Sequence, residues 1–190
     1  MKILAVNGSP RKNENTAHML GTVLEVCANA GHETEVYHVG GRETRGCVAC
    51  GGCRTHTGKC AIDDWMNELY PKIKEADAIL LGSPTYFSDL TPEMKAVIDR
   101  CGYIGRSDGM MFSRKVGAAV CAVRRAGSVH VLDSMQHFFL INDMIVPGST
   151  YWNMSLCRET GEYEKDDEGI GTMKRLGENI VWLLERTGRK

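Results

Sequence analysis

Short, almost wholly apolar runs alternate along the chain with longer stretches in which apolar positions recur at helical spacing. Residues 2–7 contain Ile3-Leu-Ala-Val6 with no polar face, the pattern of a strand covered on both sides, and Gly8-Ser9-Pro10 ends it. Polar residues 11–15 lead into an amphipathic helix predicted over 16–30 and stopped by Gly31. Residues 33–38 alternate and predict a second strand. A cysteine-rich loop occupies 46–62, after which Asp63 and Asp64 can cap a helix running to about residue 75. Residues 78–82 predict a third buried strand, followed by the loop 83–87. Thr91-Pro92-Glu93 opens a helix with proline at its first position, expected to run to about residue 101. A fourth strand is predicted over 116–123, a helix over 129–142, a fifth strand over 144–146 and a last helix over 169–186. The polar stretch 158–168 is the one candidate for an irregular excursion.

Strands separated by helices require right-handed crossovers, hence a parallel sheet with helices on both faces. Five such units in fewer than 200 residues match a doubly wound α/β fold with the flavodoxin-like strand order 2-1-3-4-5. No repeat, low-complexity segment or linker divides the chain, so residues 1–190 are expected to form a single domain.

Composition narrows the possible partners. A formal net charge of −1, with no run of Lys or Arg, argues against binding to nucleic acid or an anionic membrane. No apolar run approaches the roughly 18 residues a membrane helix needs, and the N-terminus lacks a signal-peptide pattern. The expected location is therefore cytoplasmic and reducing. There, clustered cysteines point to metal or redox chemistry rather than to disulfides.

Two stretches carry candidate chemistry. The first loop, Asn7-Gly-Ser-Pro-Arg-Lys-Asn-Glu-Asn-Thr16, offers short polar side chains and Arg11, and the following helix turns its free N–H groups toward it. It matches neither G-x-G-x-x-G nor G-x-x-x-x-G-K-[ST]. The second is Cys47, Cys50, Cys53 and Cys60, four of the eight cysteines, in the spacing C-x2-C-x2-C-x6-C. Gly51 and Gly52 permit a tight turn among them. Such a loop can wrap an iron–sulfur cubane with its N–H groups toward the sulfurs; zinc and unmetallated thiols are the alternatives. His56 is an exposed loop residue on this reading, Cys27 and Cys121 are small core hydrophobes, and Cys101 and Cys157 have no assignable role. Asp166-Asp167, like Asp63-Asp64, is read as a helix cap, and His130 and His137 as surface or core residues. A hydrolase would need a G-x-S-x-G elbow directly after a strand and a low-molecular-weight phosphatase a C-x5-R loop; neither occurs.

The stretch from Val6 to Thr16 resembles the FMN-phosphate loop of the NAD(P)H-dependent FMN reductases, the WrbA-related group. Leu81-Gly-Ser-Pro-Thr-Tyr-Phe87, followed by Leu-Thr-Pro-Glu-Met-Lys-Ala-Val-Ile-Asp-Arg100, resembles that family's second flavin loop. The cysteine spacing is similar to that of its iron–sulfur flavoprotein branch, as are Arg124-Arg-Ala-Gly-Ser128 and Tyr151-Trp-Asn153. The resemblance implies that Ser9, Arg11, Asn15 and Thr16 bind the FMN phosphate, and that Pro84, Thr85, Tyr86 and Phe87 line the ring edge. It implies that Arg124, Arg125 and Gly127 approach the flavin, and that Trp152 and Asn153, beyond the expected fifth strand, complete its pocket within the chain or from a neighbouring copy. Cys47, Cys50, Cys53 and Cys60 would hold a [4Fe-4S] cluster. The implied function is an FMN-dependent oxidoreductase taking electrons from NAD(P)H or a ferredoxin-like donor to a small acceptor, as a homodimer or homotetramer. The competing implications are a non-enzymatic flavodoxin-like carrier, or a plain FMN reductase whose cysteine loop is empty or holds zinc.

Overall fold

The structure is a computed structural model and describes residues 1–187. Five parallel strands, β1 (Lys2–Asn7), β2 (Glu33–His38), β3 (Ala78–Pro84), β4 (Val116–Val123) and β5 (Met154–Leu156), form one sheet in the order β2-β1-β3-β4-β5. The helices are α1 (Asn15–Asn29), α2 (Gly52–Thr55), α3 (Met66–Glu75), α4 (Pro92–Ser107), α5 (Ser128–Ile141) and α6 (Asp167–Thr187), with a 3₁₀ turn over Glu162–Lys165. The strand period of two sorts each strand's side chains between two cores. Ile3, Ala5, Leu80, Val120 and Ala122 pack beneath α1 and α6, whereas Leu4, Val6, Ile79, Leu81 and Cys121 pack beneath α3, α4 and α5. Each fully buried aliphatic side chain contributes about 1.5–3 kcal/mol of transfer free energy. Among the described residues no helix is long and apolar enough to cross a membrane.

Two elements differ from their sequence expectation. Helix α4 does not stop near residue 101 but continues to Ser107. Gly102 and Gly105 lie within the helix, and a Cβ at residue 105 would stand 2.3 Å from the Phe112 ring, so that glycine serves packing. The fifth strand expected at 144–146 is found at Met154–Leu156. Ile145 makes a single bridge to Val116, and Pro147, which has no N–H to donate, follows shortly. The chain then leaves the edge of β4 and rejoins it at Cys121–Val123. Tyr151, Trp152 and Asn153 consequently precede the last strand instead of following it.

The starts of α3 and α4 follow from their caps. Asp64 Oδ1 accepts the Met66 N–H at 3.1 Å. Thr91 Oγ1 accepts the Met94 N–H and donates to the Gly8 carbonyl at 2.9 Å, so the helix cap also fixes the loop after β1. Asp166 Oδ1 accepts the Gly169 N–H at 2.9 Å in the first turn of α6.

Candidate functional site

Ligands in open parallel sheets sit beyond the carboxyl ends of the strands, and here the ends of β1, β3 and β4 open into one cavity of about 170 Å³. The loop after β1 is folded by Asn7, whose Oδ1 accepts the Ser9 N–H at 2.9 Å and whose Nδ2 donates to the Lys12 carbonyl at 3.2 Å. Helix α1 begins without a side-chain cap and without an acidic residue in its first turn, so its N–H groups and positive dipole end remain available to an anion. Ser9, Arg11, Asn15 and Thr16 all line the cavity. Asn15 is also bonded to a distant segment: its Nδ2 donates to the Glu159 carbonyl at 2.8 Å and its Oδ1 accepts the Tyr163 N–H at 3.2 Å. Its amide ties the 158–165 segment to α1.

Pro84, Thr85 and Tyr86 line the same cavity from the end of β3, and Arg124 from the end of β4. The Thr85 N–H donates to the Ala122 carbonyl at 2.9 Å, which joins the two loops. Tyr86 and Asp89 then exchange backbone hydrogen bonds across a two-residue turn whose central residues, Phe87 and Ser88, have φ of 47° and 66°. Positive φ at both positions is the type I′ arrangement that glycine and asparagine favour. Phe87 is 106% exposed, so it leaves the cavity wall and stands on the turn in solvent. A bulky residue in the left-handed region with no packing to offset it costs about 1–2 kcal/mol. We expect Phe87→Gly to leave the melting temperature unchanged or raise it, a result calorimetry can check; a fall of several degrees would mean that the side chain packs.

Phe87, Arg125, Gly127, Trp152 and Asn153 do not line the cavity. Gly127 caps α5 at φ 94° and lies against the turn, where a Cβ would stand 2.8 Å from the Ser88 Cα. Trp152 is 53% exposed and tilted against Tyr151 with ring centroids 4.9 Å apart. Asn153 is buried; its carbonyl accepts the Cys121 N–H at 2.9 Å and its Oδ1 accepts the Ser149 hydroxyl at 2.6 Å. It holds the edge of the sheet together. Conversely, Glu14, Ala122, Cys157 and Arg158 line the cavity without having been anticipated. Cys157 and Arg158 directly follow β5, so the strand-end rule would have found them had β5 been placed at 154–156. Burial raises the Cys157 thiol pKa, and raises that of Cys121 to about 12; both are protonated at neutral pH.

The cysteine loop leaves β2 and is anchored on the first loop and on α4. A Cβ at Gly40 would stand 1.9 Å from the Ser9 carbonyl oxygen, and the Gly41 N–H donates to Glu93 Oε1 at 3.1 Å. Cys47, Cys50, Cys53 and Cys60 line a second cavity, also about 170 Å³, closed from below by Arg100, Tyr103 and Ile104 of α4. Gly51 at φ 74° starts the single turn α2, and a Cβ on Gly52 would come within 2.6 Å of the Ala61 Cβ, so the glycines let the loop close on itself. All four thiols are free; Cys47 and Cys50 are exposed and Cys53 and Cys60 half-buried. The donor set suits a soft metal centre: four thiols share one cavity beside a buried guanidinium that offsets negative charge. Among the described residues, however, no three His, Cys, Asp or Glu side chains converge as a closed ligand group. His56 is exposed, as expected.

Arg100 was not assigned a role from sequence, although it lies on the buried stripe of α4, three residues after Val97 and four before Ile104. It is 2% exposed and forms a two-pronged bond to Asp64, at 2.6 and 2.7 Å. Burial favours the protonated Asp64, but the bonds from Arg100 and from the Met66 N–H outweigh it and hold this carboxyl below its ordinary range.

Residues 1–158 match the family described as NADPH-dependent FMN reductase. The chain is 34% identical over 192 residues to an iron–sulfur flavoprotein of Methanocaldococcus jannaschii, covering 97% of this chain and 98% of that protein. It is 33% identical over 193 residues to the iron–sulfur flavoprotein of Methanosarcina thermophila, covering 97% and 96%. Among solved structures, the WrbA-like flavodoxin from Agrobacterium tumefaciens superposes with a TM-score of 0.69 at 14% identity, over 97% of this chain and 98% of that one. RosB with a bound 8-demethyl-8-formylriboflavin-5′-phosphate superposes with a TM-score of 0.76 at 18% identity, over 100% of this chain and 82% of that one. These likenesses establish the flavodoxin-like fold.

Proposed function

This chain belongs to the NADPH-dependent FMN reductase family, within its iron–sulfur flavoprotein branch, and on that footing we propose that it is a single-domain FMN-dependent oxidoreductase passing electrons from NAD(P)H or a ferredoxin-like donor to a small acceptor by way of a [4Fe-4S] cluster. The observation that carries the proposal is the meeting of the β1 and β3 loops, far apart in sequence, in one cavity at the strand ends. Ser9, Arg11 and Thr16, with the free N–H groups of α1, would hold the FMN phosphate. Backbone groups of Pro84, Thr85 and Tyr86 would flank the ring, and Arg124 and Arg158 would add positive charge beside it. Bound FMN supplies acceptance of a hydride as two electrons, and a cluster on Cys47, Cys50, Cys53 and Cys60 supplies transfer of electrons singly.

Helix α4 links the two sites physically. Its cap Thr91 holds the first loop, and Arg100, nine residues on, floors the cysteine cavity; that span is about 13 Å along the helix. The exposed Tyr151 and Trp152 pair is the surface we assign to contact between copies in a homodimer or homotetramer.

Anaerobic purification with flavin, iron and sulfide quantitation, followed by NAD(P)H oxidation with an artificial acceptor, tests the proposal. One FMN per chain, about four irons per chain and steady nicotinamide consumption are expected. Reduction by a ferredoxin alone would favour a protein-to-protein carrier, and absence of FMN would remove the reading.

A further inference from the structure

We propose that Arg100 is a positioning residue for the cysteine loop: it draws both ends of the loop together, donates to the Cys60 sulfur, and keeps one N–H for an acceptor the protein does not supply. The inference rests on the cluster reading given above and deepens it. The acceptors of the guanidinium define its task. Nη1 donates to Asp64 Oδ2 at 2.7 Å and to the Arg45 carbonyl at 3.2 Å. The two N–H groups of Nη2 are shared among Asp64 Oδ1 at 2.6 Å, Cys60 Sγ at 3.3 Å and the Ile62 carbonyl at 3.4 Å. Arg45 precedes Cys47, whereas Cys60, Ile62 and Asp64 lie at the far end, so one planar group on α4 holds both ends of the four-cysteine segment. Arginine alone among side chains offers five N–H groups in one fixed fork.

Three features separate this from an ordinary structural ion pair. The Arg100 side chain is 1% and the Asp64 side chain 21% exposed, and replacing a shielded ion pair by apolar groups is often neutral or stabilising, so stability alone does not account for it. One acceptor is a thiol sulfur that belongs to the cysteine set and lies in the same cavity. The Nε–H, shielded from solvent, has no acceptor among the described residues although Arg100 lines that cavity. A buried donor without a partner costs roughly 1–3 kcal/mol, which a sulfur-rich anionic group in the cavity would recover.

Arg100→Gln and Arg100→Lys distinguish the possibilities, each reconstituted anaerobically with ferrous iron and sulfide beside the unsubstituted protein. Loss of the donors is expected to speed iron release to a ferrous chelator by about 10-fold or more in Arg100→Gln. The cluster potential, followed by electron paramagnetic resonance during a reductive titration, is expected to move to more negative values, because a cation and an N–H···S bond no longer favour the added electron. Arg100→Lys keeps the charge without the fork and should restore the potential while leaving the faster iron release. If Arg100→Gln misfolds with Asp64 uncompensated, the Asp64→Asn/Arg100→Gln pair removes that half-buried charge and carries the same two readouts. An unsubstituted protein that takes up no iron or sulfide overturns the cluster reading and this inference together. Normal loading of the unsubstituted protein, with unchanged potential and iron release in the glutamine variants, overturns the inference alone.

Discussion

Gly40→Ala is expected to weaken FMN binding by at least about 10-fold while the sheet remains formed. The added methyl would stand 1.9 Å from the Ser9 carbonyl oxygen, 2.2 Å from its carbonyl carbon and 2.7 Å from the Pro10 nitrogen, all backbone atoms that cannot rotate away. The first loop must therefore move, and that loop carries Ser9 and Arg11 into the cavity. Overpacking of this kind costs about 1–3 kcal/mol, and each 1.4 kcal/mol that falls on the bound geometry is tenfold in affinity. Gly21→Ala is the control: a methyl there meets nothing within 4 Å, and alanine in a helix interior is favoured over glycine by up to about 1 kcal/mol. Fluorescence titration of the FMN-free proteins decides the matter. Equal affinity in Gly40→Ala and the unsubstituted protein would show that the first loop does not hold the flavin.

Cys60→Ser, and separately Cys53→Ser, are expected to abolish stable four-iron loading while FMN content stays at one per chain. Serine keeps the size but replaces a soft sulfur donor with a hard, protonated hydroxyl that suits iron–sulfur ligation poorly. The two cavities share no lining residue, which is why the effects should separate. Cys121→Ser offers the contrast. Burial pushes that thiol up to about 12, and it lies in β4 away from the loop, so it should cost stability through a buried hydroxyl and leave iron uptake intact. In the loop variants nicotinamide-driven flavin reduction should persist and one-electron delivery should fall. Retained iron and sulfide in both loop variants would remove these cysteines from the ligand set.

Much of the fold was legible because it is written in local periodicity. The strand runs 2–7, 33–38 and 116–123 are found at those positions, since a short apolar or alternating run bounded by glycine, proline or polar residues has few alternatives. The last strand was not legible. Met154–Leu156 has three residues and an exposed end, whereas the more apolar 144–146 makes only one bridge. Pairing with β4, not hydrophobicity, determines which segment becomes the strand.

The candidate site divides along the same line. Sequence alone determined the chemistry available: four thiols within one loop, and the polar side chains of Ser9 and Thr16 beside Arg11 at the start of a helix, because both depend on residues close together in the chain. Tertiary structure decided which groups meet. It set Phe87 on a turn in solvent, gave the Asn15 amide to the 158–165 segment, and brought Cys157 and Arg158 to the cavity. It also seated Gly40 against Ser9 and laid Arg100 beneath the cysteines. Apart from the local turn that carries Phe87, these contacts join residues about thirty or more positions apart. They arise from crossover connections and the packing of helices on a twisted sheet, and local periodicity carries no record of either.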